Sequence, residues 1–178
     1  MCIICGRFSF RAICNKCKSF LKPDIEFKNE IVSFYDYEEI EFLIKYKYEK
    51  FGSRVFWELS DVFRKFAENY QKKAFVIPID DRIKNGFSHT AILAKSMHSK
   101  NLIPLFGVLH AKNEVKYAGK SLEFRLNNPR NFKYTGLKNI DAILVDDVMT
   151  TGLTLKEAKE VLTKNGVNVL FSVVLAKR

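Results

Sequence analysis

The segment Ile143-Leu-Val-Asp-Asp-Val-Met-Thr-Thr-Gly-Leu-Thr154 is the most informative part of this sequence for predicting its fold. Its first three residues are part of the apolar run Ala142–Val145, which predicts a buried strand. Two adjacent carboxylates, Asp146 and Asp147, follow, and a loop of small and hydroxylic residues then leads to a predicted helix over 155–164. In open α/β sheets, ligands bind at the carboxyl ends of such strands. The stretch therefore predicts a ligand site at a sheet edge.

The loop after the two acids has the chemistry of a phosphate site. The first turn of a helix offers unpaired N–H groups and the positive end of the helix dipole. Thr150, Thr151 and Thr154 add hydroxyl groups, and Gly152 lets the backbone approach a ligand closely. Carboxylates do not bind phosphate, so we expect the acidic pair to bind vicinal ribose hydroxyls of the same ligand.

The rest of the chain alternates between short apolar runs and amphipathic segments. This alternation is typical of a parallel α/β sheet flanked by helices. The pattern predicts strands over 31–35, 74–78, 102–109, 142–145 and 167–175, and helices over 38–50, 55–66, 88–97 and 155–164. The polar stretch 111–131, which contains Gly119, shows no period and is predicted to be a long loop.

All four cysteines lie in the first 17 residues, as Cys2-x-x-Cys5 and Cys14-x-x-Cys17. Two such pairs supply the four thiolates of a tetrahedral structural zinc site. A redox pair is the alternative, but a thioredoxin-type motif requires a βαβ setting that this segment lacks. We therefore predict a four-cysteine zinc segment over 1–24, followed by one α/β domain over 25–178.

The composition of this 178-residue chain indicates which kinds of partner it can bind. Lys and Arg number 30 against 20 Asp and Glu, a formal charge of +10, which favours polyanionic partners. No apolar run approaches the roughly 20 residues that cross a bilayer, so no membrane insertion is expected. The N-terminus lacks the apolar core of a signal peptide, and we expect a cytoplasmic protein.

Residues 145–154 are similar to the 5-phosphoribosyl-1-pyrophosphate (PRPP) signature of type I phosphoribosyltransferases. More closely, nearly the whole chain resembles the competence-protein-F (ComF) family. The residues that carry this resemblance are the two cysteine pairs, Leu43-Ile44 to Tyr48 ahead of Gly52, Ile77-Pro78-Ile79, Gly86-Phe87-Ser88, Arg125, Asn128, the signature itself and the closing Leu175-Ala-Lys-Arg178.

The resemblance implies a type I phosphoribosyltransferase-like sheet and a role for each matched residue. It implies that Asp146 and Asp147 hold the ribose hydroxyls of PRPP. The remaining PRPP-binding residues would be Val148, Met149, Thr150, Thr151, Gly152 and Thr154, with 149–154 around the 5-phosphate. The loop Ile79-Asp80-Asp81-Arg82 would hold the pyrophosphate with Mg²⁺, and Arg125 would close over the ligand.

The sequence departs from the ComF pattern at Asn85, where relatives commonly have Arg, and it identifies no catalytic residue. Three functions stay open. The first is DNA uptake in natural transformation, with single-stranded DNA and competence-machinery proteins as partners. Lys45, Lys47 and Lys50 are the candidate DNA contacts, and Tyr46, Tyr48, Phe51, Tyr117, Phe124 and Phe132 the candidate stacking residues. The second is nucleotide salvage by an active phosphoribosyltransferase, and the third a catalytically silent PRPP-sensing module.

Overall fold

A six-stranded sheet forms the centre of the protein, whose computed structural model describes residues 1–113 and 121–178. Its order is β1 (Glu26–Lys28), β2 (Ile31–Asp36), β8 (Val167–Lys177), β7 (Ile140–Met149), β3 (Ala74–Pro78) and β4 (Leu102–Pro104). Every neighbouring pair is parallel except β1 and β2. The α/β class with a mostly parallel sheet is thus confirmed. The predicted residues Tyr117 and Gly119 lie outside the described ranges.

Helices cover both faces of this sheet. They are α1 (Asn15–Lys18), α2 (Tyr37–Ile44), a 3-10 helix (Lys45–Tyr48), α3 (Gly52–Leu59), α4 (Asp61–Asn69), α5 (His89–Ser96), α6 (Leu122–Asn127) and α7 (Leu153–Lys164). A two-stranded antiparallel ribbon of β5 (Leu109–Ala111) and β6 (Phe132–Tyr134) lies beside the sheet. In the part of the chain that the structure describes, no helix is long and apolar enough to span a bilayer.

Alternation along β7 divides the apolar interior into two cores. Ile143 and Val145 pack into the core that includes residues of α2 to α5. Ala142 and Leu144 pack into the opposite core, with α7 and the small ribbon. Successive side chains of a strand point to opposite faces, so each face of β7 serves a different core. The same alternation governs the acidic residues further along the strand.

The strand order opens a crevice between β3 and β7. From β3 the chain passes through α5 to β4 on one side, and from β7 it passes through α7 to β8 on the other. The two connections leave in opposite directions, which makes the β3–β7 boundary a topological switch point. Ligands of open α/β folds bind in the crevice at such a point.

The helix predicted over 38–50 becomes a 3-10 helix at Lys45–Tyr48, and two other predicted elements are interrupted. The strand predicted over 102–109 splits into β4 and β5, which lie in different sheets, because Pro104 ends the first and Gly107 turns the chain with φ +69°. The helix predicted over 55–66 breaks at Ser60. The hydroxyl of this buried residue donates to the carbonyl of Trp57 (2.7 Å), which competes with the helical hydrogen bonds.

The cysteine segment packs onto the α/β domain. Ile13 and Cys17 are buried in the same apolar cluster as Phe56 of α3. The ammonium of Lys18 forms ion pairs with Glu58 (2.8 Å) and Asp61. Residues 1–24 therefore share a core with the rest of the chain, and their division from 25–178 as separate domains stays a prediction.

Candidate functional site

The acidic pair lies within β7 rather than in the loop after it. The strand continues to Met149, and Asp146 is paired in register with Val174 of β8. The sequence predicts an end at Val145 instead, because the apolar run stops there. Asp146 and Asp147 therefore point to opposite faces of the sheet. A strict alternation count along the strand would have revealed this separation from the sequence.

Asp147 is buried on the α5 face and forms an ion pair. Its Oδ2 lies 2.8 Å from the Nζ of Lys47 and 3.6 Å from the Nε2 of His89. Burial raises the pKa of Asp147, but the charge and hydrogen bond of Lys47 outweigh it and hold that pKa well below its ordinary value. Burial lowers the pKa of His89, which favours a neutral imidazole. Asp147 is thus a fixed anion.

Asp146 lies on the other face and lines a depression formed with the loop that follows β7. Its Oδ1 accepts a hydrogen bond from the backbone N–H of Asp147 (2.8 Å). Burial, together with the negative charge of Asp147, raises the pKa of Asp146 to about 8. The two acids are consequently in opposite ionisation states near neutral pH, and Asp146 is the one that faces the depression.

The loop 150–152 leads directly into α7, as predicted. Gly152 has φ +73°, a left-handed conformation that favours glycine, and the helix begins at Leu153. The depression lined by Asp146 and residues 148–155 has a volume of about 20 Å³, room for about one water molecule. A phosphate group requires side chains of this loop to move outward. The N-terminal amides of α7 then supply its donors.

Arg125 of α6 reaches this loop. Its guanidinium donates to the hydroxyl of Thr150. The sequence predicts Arg125 as a residue that closes over a ligand, and the structure brings its cation to the edge of the phosphate-type loop. Because Arg125 comes from a distant part of the chain, the contact also ties α6 to the site.

The loop Ile79–Arg82 follows β3 on the other side of the crevice. Asp80 has φ +50° and accepts hydrogen bonds from two nitrogens of the Arg82 guanidinium, at 2.7 and 3.0 Å. Burial raises the pKa of Asp80, but the hydrogen bonds and charge of Arg82 lower it below its ordinary value. Arg82, expected to face pyrophosphate, is thus engaged with Asp80 in this conformation.

The two carboxylate oxygens of Asp81, in the same loop, have different environments. Its Oδ2 accepts from the backbone N–H of Gly107 (2.7 Å). Its Oδ1 is buried, lies 3.6 Å from the Nδ1 of His110, and has no hydrogen-bond partner among the described residues. A buried carboxylate oxygen without a donor is costly, and a cation or an ordered water would satisfy it.

The four cysteines come together at one point. Their sulfur atoms all lie within 4.8 Å of one another, and the Sγ atoms of Cys5 and Cys14 are 3.8 Å apart. A disulfide requires about 2.05 Å, whereas a tetrahedron with Zn–S bonds of about 2.3 Å has edges of about 3.8 Å. The cluster of Cys2, Cys5, Cys14 and Cys17 therefore has the dimensions of a tetrahedral metal site.

Local backbone geometry prepares this cluster. Gly6, with φ +68°, closes the first knuckle by donating to the carbonyl of Cys2 (2.9 Å). The backbone N–H of Cys14 donates to the Sγ of Cys2 (3.3 Å). Burial raises the pKa of Cys2, but such backbone hydrogen bonds lower it to about 6. A thiolate ligand is thus favoured before a metal binds.

The lysines predicted for DNA occupy different environments. Lys45 is exposed and pairs with Glu41 (3.2 Å), and Lys50 is exposed. The side chain of Lys47 is 20% exposed and is held at Asp147. Among the predicted stacking residues, Tyr48 and Phe51 are exposed, whereas Phe132 is buried. The structure therefore places Lys47 at the acidic pair rather than on the open surface.

Sequence reasoning missed a second basic and aromatic surface. A groove of about 480 Å³ lies between the cysteine segment and α3 and α5. Its lining includes Phe10, Arg11, Arg54, Trp57 and Lys95, of which Phe10 is 94% exposed. These residues come from three separate segments of the chain, so only the fold brings them together. We call this surface the aromatic groove.

Comparisons with known proteins concern the fold alone. No protein-family model and no curated protein matches the sequence. Similar solved structures include an adenine phosphoribosyltransferase from Leishmania donovani (15% identity, TM-score 0.48, covering 84% of this chain and 72% of that chain). An orotate phosphoribosyltransferase from Mycobacterium tuberculosis is also similar (13% identity, TM-score 0.46, covering 75% of this chain and 66% of that chain).

The Leishmania donovani UMP synthase is a further match (16% identity, TM-score 0.45). It overlaps 88% of this chain, which spans only 28% of that longer protein. Similarities of this size do not identify a substrate or an activity. Membership of the ComF family accordingly stays a prediction from the sequence motifs.

Proposed function

We propose that this chain binds PRPP in the crevice between the carboxyl ends of β3 and β7. One observation carries the proposal: β7 delivers Asp146 to the point where the loop 150–152 and the N-terminus of α7 begin. Amides and hydroxyls there suit the 5-phosphate, and Asp146 suits a ribose hydroxyl. The resemblance of residues 145–154 to the PRPP signature supports the same ligand.

Mg²⁺ fits the opposite side of this crevice. The Oδ1 of Asp81, which has no hydrogen-bond partner within residues 1–113 and 121–178, is a carboxylate oxygen of the kind that binds Mg²⁺ or its coordinated water. Asp81 of the loop 79–82 would hold the ion, and the ion would neutralise charge on the pyrophosphate. Lys84 lies in the stretch after this loop, and its cation suits the same anion.

Titration calorimetry with PRPP and Mg²⁺ tests the proposal. The wild type should bind, and the double variant Asp146→Asn/Asp147→Asn should bind about tenfold more weakly, since a ligand group left without its hydrogen-bond partner costs roughly 1–3 kcal/mol. Equal affinity of a folded double variant would remove the acidic pair from the site. Release of pyrophosphate with a nucleobase would identify a salvage enzyme, whereas binding without turnover would favour a PRPP-sensing module.

A second function, handling of single-stranded DNA in natural transformation, is favoured by the aromatic groove and by the ComF resemblance. Single strands bind where bases stack on aromatic side chains and cations follow the phosphates. The groove combines Phe10 and Trp57 with the cations of Arg11, Arg54 and Lys95. The charge of +10 adds a long-range attraction for a polyanion.

Zinc is the metal that we propose for the cysteine cluster, because four thiolates with tetrahedral spacing form a closed site of the structural type. The loop between the two cysteine pairs contributes Phe10 and Arg11 to the aromatic groove. The metal would thereby fix one wall of the surface proposed for DNA.

A further inference from the structure

Lys47 is a buried cation in direct contact with the acidic pair. Its Nζ lies 2.8 Å from the Oδ2 of Asp147, a residue 100 positions further along the chain. The two side chains are only 20% and 9% exposed. Burial lowers the pKa of Lys47, but the charge of Asp147 outweighs it and raises that pKa above its ordinary value. Both partners are therefore charged near neutral pH.

The backbone around Lys47 is held against the segment between β3 and α5. The side-chain amide of Asn85 donates to the carbonyl of Tyr48 (3.0 Å). A Cβ atom at Gly52 would lie 2.0 Å from the carbonyl oxygen of Tyr46 and 2.5 Å from the ring of Phe87, so only glycine permits this close approach. The segment 45–52 is thus a fixed wall beside β7, and its cation has a defined position.

The Lys47 cation offsets an electrostatic repulsion between the site and its proposed ligand. PRPP carries a phosphate and a pyrophosphate, so the ionised carboxylate of Asp147 beside the site would repel it as a whole. Like charges a few ångströms apart interact strongly in a partly buried site. Asp147 contributes the fixed negative charge of the pair, and Lys47 cancels that charge at a distance of 2.8 Å.

We propose that Lys47 is a positioning residue of the ligand site, which neutralises Asp147 so that a polyanionic sugar phosphate can approach Asp146. This inference rests on the proposed function, and it assigns the two acids different tasks. Asp146 contacts the ligand, whereas Asp147 and Lys47 form a neutral, rigid unit behind it. The unit also holds the end of β7, from which the phosphate-type loop begins.

Lys47→Met tests this inference, with titration of PRPP and of the less charged ribose 5-phosphate in the presence of Mg²⁺. We expect PRPP affinity to fall at least about tenfold, and the affinity for ribose 5-phosphate to fall less, because the uncancelled charge of Asp147 repels in proportion to ligand charge. Lys47→Arg should restore binding. Lys72→Met is the matched control, since it removes one exposed cation just before β3, at the end of that strand opposite to the site.

The double variant Lys47→Met/Asp147→Asn covers the case in which the single variant fails to fold. This double variant has no charge at the buried contact between residues 47 and 147, so it should fold. It should bind PRPP within about threefold of the wild type, because a neutral pair of side chains and a neutralised ion pair have the same net charge toward the ligand. Undiminished PRPP binding by Lys47→Met, equal losses for both ligands, or weak binding by the folded double variant would each overturn the inference. A wild type that binds no PRPP would instead refute the proposed function.

Discussion

Asp146 and Asp147 are neighbours with opposite environments, and their asparagine variants should therefore differ in stability. Asp147→Asn leaves Lys47 with only 20% of its side chain exposed and without its anionic partner. Asp146→Asn replaces an acid whose pKa is raised to about 8, and which is therefore mostly protonated at pH 7, by a neutral side chain of the same shape. The first change should be damaging, whereas the second should have little effect at low pH and should stabilise the protein near pH 7.

The magnitudes follow from these environments. Breaking a buried ion pair costs about 3–5 kcal/mol, and the partial exposure of Lys47 places Asp147→Asn near the lower end, about 3 kcal/mol. For a chain of this size, that free energy lowers the melting temperature by about 6–12 °C. For Asp146 the folded pKa is raised, so folding takes up a proton between the unfolded and folded pKa values. Its contribution to stability is complete at low pH and is lost as pH rises.

The Asp146→Asn variant lacks this loss of stability with rising pH, because its side chain at position 146 does not titrate. The free energy of unfolding of Asp146→Asn, relative to the wild type, should therefore increase by at most about 1.4 kcal/mol per pH unit between pH 5 and 7. Urea denaturation followed by the fluorescence of Trp57, the single tryptophan, measures both variants. A flat difference across this pH range, or greater damage from Asp146→Asn than from Asp147→Asn, would refute the separation of the two acids.

Two further predictions concern the other surfaces. Elemental analysis should find about one zinc per chain, as four thiolates form one closed site, and Cys17→Ser should abolish metal binding and lower the melting temperature; a metal-free, stable wild type would contradict this. Single-stranded DNA binding should weaken with salt by a log–log slope near −0.7 per phosphate contacted. Trp57→Ala should weaken it by about 1–3 kcal/mol, whereas Lys45→Glu/Lys50→Glu should matter less; the opposite order would return the DNA surface to those lysines.

Local patterns in the sequence were sufficient for the main parallel strands, but they did not predict β1, the small ribbon, or α6 within the stretch 111–131 that was predicted to be a loop. Apolar runs and turn residues predicted the parallel strands, and Ser88 marked the start of α5, where its hydroxyl accepts from the N–H of Ala91 (3.1 Å). The loop after β7 and the cysteine cluster were also predictable, because each depends on residues close together in the chain. These are the features in which local chemistry and local geometry coincide.

Long-range contacts account for what the sequence did not reveal. Lys47 has the appearance of a solvated lysine among others, and only the packing of its segment against β7 brings it to Asp147. Asp146 and Asp147 were interpreted as one unit because the strand was predicted to end with its apolar run at Val145, whereas it continues to Met149. The aromatic groove joins residues from the cysteine loop, α3 and α5, a combination that no local pattern records.

A crystal structure of the protein with PRPP and Mg²⁺ tests the central claim most directly. We expect the 5-phosphate within hydrogen-bonding distance of the backbone N–H groups of residues 151–154, with the loop opened to admit it. We also expect a ribose hydroxyl at Asp146, the pyrophosphate beside the loop 79–82, and Lys47 still paired with Asp147. PRPP bound outside the crevice between β3 and β7, or no bound PRPP at saturating concentration, would contradict it.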